Sequence, residues 1–290
     1  MIIRPFAALC LALLLTACAQ PPIQPPHPPQ AKSVKIGLAL GGGAARGFAH
    51  IGVIKVLEAN GIRPDFIVGT SAGSVVGALY AYGLSGFQLQ NMALQIKEDE
   101  LTDWSLPNRG VLKGEALQDF INKAVANRPI EQLARPFGAV ATDLGTGDKV
   151  VFRRGNTGMA VRASSTVPGV FQPTNINGHE YVDGGLTSPV PIQAARDMGA
   201  DFVIAVDIGQ KPRWGKADGL MSELLQTFTI MGNTIRSYEL DKADMVIQPH
   251  TANVAVSDFE DRHLAIMEGE KAASQAMATL KAKLAKARGQ

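Results

Sequence analysis

Gly69-Thr70-Ser71-Ala72-Gly73 joins two stretches with opposite backbone preferences. Asp65-Phe66-Ile67-Val68 reads as the end of a buried strand. Ala72 to Ala81 is a run of small and apolar residues, the composition of a helix that packs closely. A strand turning straight into a helix around a serine is crowded, and a glycine two positions to either side relieves the crowding. In that geometry the Ser71 hydroxyl projects above a sheet. The next N–H groups then point at a reacting carbonyl from a helix N-terminus. Gly and Ser are common, and five such residues alone also describe an ordinary turn. The strand and helix around them make Ser71 a candidate nucleophile.

A second glycine cluster narrows the chemistry. Lys35 to Leu40 reads as a first strand, and Gly41-Gly42-Gly43-Ala44-Ala45-Arg46-Gly47 follows it directly. A helix is predicted over about Ala49 to Ala59, with Ile51, Ile54 and Leu57 on one face and Asn60-Gly61 stopping it. Three glycines between a strand and a helix bare successive N–H groups, which suits an anion or a developing oxyanion. A tight turn needing positive φ uses glycine too. A dinucleotide fingerprint does not fit, because the third glycine of a G-x-G-x-x-G begun at Gly41 falls on Arg46. A P-loop fits no better, because Gly47 is followed by Phe48 instead of Lys. Acyl transfer accounts for both glycine clusters, whereas nucleotide binding accounts for one.

The third element is Asp183-Gly184-Gly185. Asn177-Gly178 marks a hairpin turn, so Asp183 falls at the end of a short strand, followed by glycines that admit other backbone. On its own this is a surface-turn aspartate. Beside the two glycine clusters it is a candidate base, but one with an ordinary pKa of about 3.9 is weak in water. It needs a dry site and contact with the serine hydroxyl.

A strand, a Gly-rich loop with Arg, a G-x-S-x-G elbow and a downstream D-G-G, in that order, resemble the patatin-like phospholipase family, in its bacterial branch. The run from Arg162-Ala163-Ser164 through Pro168 and Phe171 to Pro173 is similar to that family's Ala-Ser…Pro…Phe…Pro block. The likeness extends from about Val34 to Asp207. It implies a three-layer α/β/α fold with a central, mostly parallel sheet. It also implies a Ser–Asp dyad that hydrolyses acyl esters of lipids without a metal or cofactor. Carried over, Ser71 is the nucleophile in the Gly69/Gly73 elbow and Asp183, with Gly184 and Gly185, activates it. Gly41, Gly42, Gly43 and Ala44 would form the oxyanion hole, with Arg46 closing the loop. This chain has Ala44 and Ala45 where the common form has one residue before the arginine. Either Ala44 takes a glycine position or the loop carries an insertion.

Residues 1–17 read as a targeting segment: Arg4 is the positive flank and Phe6 to Leu15 the apolar stretch. Leu15-Thr16-Ala17-Cys18 resembles a bacterial lipobox, which implies lipidation of Cys18 and anchoring to a membrane. With Ala19 following, outer-membrane sorting facing the periplasm is the expectation for a cell envelope with two membranes. Pro21-Pro22, Pro25-Pro26 and Pro28-Pro29 make an extended spacer to about residue 32, and His27 within it is a linker residue. Residues 33–290 then form one α/β domain. Both cysteines, Cys10 and Cys18, precede it, so the domain has neither a disulfide nor a cysteine nucleophile.

A formal charge of +2 over 290 residues gives no footprint for nucleic acid. Residues 86–125 read as helical with a break at 106–110. Their apolar members Leu84, Phe87, Leu89, Met92, Leu94, Ile96, Leu101 and Trp104 suit a lid or acyl pocket, although core packing is the simpler account. Phe137 to Asp143 and Lys149 to Arg153 read as strands around a turn, Ile192 to Met198 as a helix and Asp201 to Asp207 as a strand. Leu220 to Leu240 and Leu264 to Ala287 read as long helices. Asp143 and Asp207, also at strand ends, compete with Asp183. A Ser–His–Asp triad using His250 or His263 competes with the dyad, while His50 and His179 read as structural. Against hydrolysis altogether stands a lipid-binding or regulatory envelope lipoprotein without turnover.

Overall fold

The structure, a computed structural model, describes residues 33–97, 101, 103, 110–211, 219–251 and 260–290. The strands are β1 (Ile36–Leu40), β2 (Phe66–Thr70), β3 (Gly110–Leu112), β4 (Phe137–Asp143), β5 (Lys149–Phe152), β6 (Gly169–Phe171), β7 (Thr174–Ile176), β8 (His179–Asp183), β9 (Phe202–Val206) and β10 (Met245–Ile247). The helices are α1 (Phe48–Ala59), α2 (Ala72–Tyr82), α3 (Gly86–Gln95), α4 (Glu115–Ala124), α5 (Thr157–Ser164), α6 (Ile192–Asp197), α7 (Leu220–Leu240) and α8 (Arg262–Ala287).

Eight strands make the main sheet in the order β10-β9-β1-β2-β4-β8-β7, with β5 also on β4. From β10 to β4 every pairing is parallel. Such strands are covered on both faces, which is why they read as continuous apolar runs. All residues of β1, β4 and β9 are buried. Alternation along each strand divides the core in two. Leu38, Leu40, Ile67, Ile204 and Val206 pack toward α1, α2 and α8, whereas Ala39, Val68, Val140, Val203 and Ala205 pack toward α6. The expected three-layer α/β/α architecture with a mostly parallel sheet is present.

One feature of the sheet places the site. On β4, Ala139 pairs with both Gly69 of β2 and Phe152 of β5, so β2 and β5 hold opposite edges. Ala141 pairs with both Val150 of β5 and Asp183 of β8, so β8 lies on the same edge as β2. The parallel strand β2 ends opposite Val140, and the antiparallel strand β8 ends at the next residue along, Ala141. The two strands therefore meet end to end, which brings Ser71 and Asp183 together.

The expected elements are found with small changes of boundary. The Asn177-Gly178 turn has φ of 53° and 85°, the positive pair that a tight β7–β8 hairpin needs. The glycine loop leads into a 3-10 turn over Ala44–Gly47 before α1. Between α3 and α4 the chain forms β3, which pairs in parallel with β6; residues 104–109, at the expected break, lie outside the described residues. Helix α5 adds to the expected elements. Its signal is Asn156, whose side chain accepts the Met159 N–H at 2.7 Å as an N-cap.

Candidate active site

Ser71 sits between β2 and α2 with φ 54° and ψ −125°, a conformation that costs a non-glycine residue about 1–3 kcal/mol. Its surroundings hold it there. The Ser71 N–H donates to Ser164 Oγ at 2.9 Å, and that hydroxyl donates to the Val140 carbonyl at 2.5 Å. Ser164 thus bridges the junction where β2 gives way to β8. On the other side the Ser71 carbonyl accepts the Ser74 N–H and the Ser74 hydroxyl, both at 2.7 Å. The elbow glycines are required by contact. A Cβ on Gly69 would lie 2.2 Å from the Gly73 carbonyl oxygen, and one on Gly73 would lie 2.1 Å from the Leu40 carbonyl oxygen.

Asp183 ends β8 as a buried residue. Its Oδ1 accepts the Gly185 N–H at 2.7 Å, and the Ser71 side chain stands beside its carboxyl. Burial pushes its pKa from 3.8 up to about 6, with the neighbouring Ser71 hydroxyl and the Gly185 hydrogen bond pulling the other way. A carboxylate in water would be too acidic to take a serine proton; this one is closer to the range of a working base. Gly184 lets the chain pass over β4, since a Cβ there would fall 2.2 Å from the Val140 carbonyl oxygen.

Two of the N–H groups expected to face an oxyanion are already bonded. Gly41 donates to the Val206 carbonyl and Gly42 to the Pro189 carbonyl, each at 3.0 Å. Gly43 and Ala44 are left as the loop N–H groups with no acceptor among the described residues. Ala44 has φ 51°, the left-handed conformation that glycine adopts most readily. It therefore holds a backbone position suited to glycine. Arg46 closes the loop: its Nε donates to the Gly43 carbonyl at 3.0 Å. Gly42 remains next to Ser71, since a Cβ there would lie 3.3 Å from Ser71 Cβ.

The rival residues are engaged elsewhere. Asp143 Oδ2 meets His179 Nδ1 at 2.9 Å and its Oδ1 accepts the Gly145 and Thr146 N–H groups, contacts that hold its carboxyl low. Asp207 is bound by both oxygens to Arg236 Nη1 at 3.1 and 3.0 Å. His50 is buried, with Nε2 bonded to the Gly41 carbonyl at 2.8 Å, and burial lowers its pKa to about 4. His250 and His263 are exposed. No hydrogen bond joins Ser71 or Asp183 to any of the four described histidines. Among the described residues no group of three or more His, Cys, Asp or Glu is placed to hold a metal ion.

Ser71 opens on a cavity of about 260 Å³. Among the described residues its walls are, apart from Ser71 and Ser165, glycine, alanine and larger apolar side chains, including Phe48, Val75, Leu79, Phe120 and Phe171. Leu89, Met92, Ile96 and Leu101 line it as well, so half of the apolar set in residues 84–104 forms pocket wall. Of the others, Leu84 packs against the core, Phe87 and Leu94 are 67% and 48% exposed, and Trp104 lies outside the described residues.

The model of the patatin-like phospholipases matches residues 38–196, more than half of the 290 residues. An uncharacterised NTE family protein of Mycobacterium bovis is 40% identical over 178 residues, covering 61% of this chain and 49% of that protein. Patatin-like phospholipase domain-containing protein 6 of Mus musculus is 36% identical over 184 residues, covering 61% of this chain and 14% of that protein. The chain thus spans about half the length of the first relative, at 49%, and a small part of the second. VipD from Legionella pneumophila shares the fold, with a TM-score of 0.51 at 14% identity over 86% of this chain and 68% of that one. The chain belongs to the patatin-like phospholipase family.

Proposed function

We propose that this protein is a serine acyl hydrolase that cleaves acyl esters of lipids with a Ser71–Asp183 dyad. The observation that carries this reading is the end-to-end meeting of β2 and β8. It brings Ser71 beside the buried Asp183 carboxyl at the mouth of an apolar cavity. Asp183 takes the Ser71 proton as Oγ attacks the ester carbonyl. The N–H groups of Gly43 and Ala44, with the first N–H groups of α2, stabilise the tetrahedral oxyanion. The alcohol or lysolipid leaves with the proton, and water activated by Asp183 then releases the fatty acid from the acyl-enzyme. The cavity supports a lipid substrate: among the described residues its walls offer no charge or polar side chain beyond the two serines, so an acyl chain is what they bury favourably. The family's name as a phospholipase family and the printed name of the mouse relative point the same way.

The test is turnover of acyl esters of graded chain length, of phospholipid and of lysophospholipid by the wild type and Ser71→Ala. Hydrolysis lost in Ser71→Ala supports the reading. Lipid binding without turnover in the wild type replaces it with a lipid-binding role.

We further propose that Cys18 is lipidated and tethers the domain to a bacterial envelope membrane, the outer membrane facing the periplasm where there are two. Residues 1–32 lie outside the described residues, and this proposal rests on their sequence. Cys18→Ser should move the protein from the membrane to the soluble fraction; unchanged fractionation contradicts the tether.

A further inference from the structure

Helix α7 buries the opposite of what a surface helix usually buries. Of its 21 residues the buried ones are Arg236 and Glu239, while Leu220 and Tyr238 are 83% and 70% exposed and Ile230 and Met231 are exposed too. Buried ionisable groups need partners to be tolerated, and those of Glu239 lead to the site. Its carboxylate accepts the Ser188 hydroxyl on Oε1 and the Val190 N–H on Oε2, the latter at 2.8 Å. The segment so held turns its carbonyls toward Ser71. The Ser188 carbonyl accepts Thr70 Oγ1 at 2.8 Å, and the Pro189 carbonyl accepts the Gly42 N–H at 3.0 Å. Thr70 precedes Ser71 in the chain, and Gly42 lies against the Ser71 side chain.

We propose that Glu239 is a positioning residue for the Ser71 site: by fixing residues 188–190 it holds Thr70 and Gly42, and so sets the oxyanion loop against the nucleophile. The positioning rests on the geometry alone. Its effect on rate rests on the hydrolase reading above. The Gly43 and Ala44 N–H groups follow directly after Gly42, so freeing Gly42 displaces the donors from the oxyanion. Arg236 has a separate partner, Asp207, next in chain to the Val206 carbonyl that holds Gly41. Gly41 therefore serves as an internal reference, because its bond does not pass through Glu239.

The experiment uses the full chain with Glu239→Ala and Glu239→Gln, reading amide hydrogen exchange of Gly41 and Gly42 by NMR and steady-state kinetics on an acyl ester. In Glu239→Ala, Gly42 exchange should quicken at least about tenfold while Gly41 stays within about twofold, as expected when one local bond opens. In the same variant kcat should fall about ten- to a hundredfold with KM nearly unchanged, the signature of a misplaced transition-state contact. Glu239→Gln should recover most of both, because its amide can accept the Val190 N–H and donate to Ser188 Oγ. If Glu239→Ala does not fold, Ser188→Ala cuts one link, leaves the Val190 link, and should still quicken Gly42 over Gly41. Unchanged Gly42 exchange in a folded variant overturns the proposal, as does equal quickening at both glycines. Quickened Gly42 exchange in Glu239→Ala, where the wild type itself shows no turnover, upholds the positioning and sinks the hydrolase reading.

Discussion

Asp183→Asn should abolish turnover and yet stabilise the protein, with the stabilisation appearing as pH rises. Asp183 ionises at 3.8 when free of the fold and at about 6 within it. At about 1.4 kcal/mol per pH unit, that displacement amounts to about 3 kcal/mol of native-state penalty for carrying the charge. The sign follows from proton binding. Below pH 3.8 the carboxyl is protonated in both folded and unfolded chains and contributes no penalty. Between about pH 4 and 6 the unfolded chain ionises first, so the wild type loses stability as pH rises, and above about 6 the loss is complete. Asparagine does not titrate and keeps an oxygen for the Gly185 N–H, so the variant escapes this loss. Urea unfolding followed by circular dichroism should give nearly matching midpoints near pH 4. By pH 8 the variant should be ahead by up to about 3 kcal/mol, or about 1 M urea at the slopes usual for a protein of this size. The other titrating groups, His50 among them, are common to both proteins and cancel in the difference. A gap between variant and wild type that does not change from pH 4 to pH 8 would refute the raised pKa, and with it the tuned base.

The elbow and its bridge make further tests. Gly73→Ala places a Cβ 2.1 Å from the Leu40 carbonyl oxygen; because backbone must move, a loss of more than about 3 kcal/mol is expected in the same urea assay. A wild-type midpoint would contradict that close approach. Ser164→Ala leaves the Ser71 N–H and the Val140 carbonyl without their shared partner. Each buried group left unpaired costs about 1–3 kcal/mol, read as a drop in Tm of about 2–4 °C per kcal/mol, together with reduced turnover. Full activity in Ser164→Ala would show that the Ser71 backbone does not need the bridge.

The parts of the site written in local sequence were legible in it. Buried strands flanked by glycines located β1 with its loop and β2 with its elbow, because an apolar run stopped by glycine has few other uses in an α/β chain. What local sequence does not carry is which edge a strand joins. The meeting of Ser71 with Asp183 depends on β8 entering antiparallel on the β2 side of β4, which no residue near either one announces. The glycine loop shows the same limit. Its composition displays how many N–H groups are bare, but Val206 and Pro189, distant in sequence, decide which are spent. Asp143 and Asp207 were sensible rivals by position and are removed by their partners, His179 and Arg236. Leu89 and Met92 illustrate why the cavity was hard to foresee, since a pocket wall and a packed core share one helical periodicity. Three-residue strands such as β3, β6 and β10 leave too short a pattern to read, and Glu239 sits in a helix whose exposed neighbours disguise its role.

The central claim, a serine activated by a buried aspartate without histidine, is tested most directly by the rate at which an organophosphonate labels Ser71 as pH is varied. Mass spectrometry should locate the adduct on Ser71. The rate should rise about tenfold per pH unit and level off near pH 6, following the Asp183 carboxylate. It should collapse in Asp183→Asn and be unaltered in His250→Ala. A folded protein that takes no label at Ser71, or one labelled equally fast with Asp183→Asn, would contradict the account.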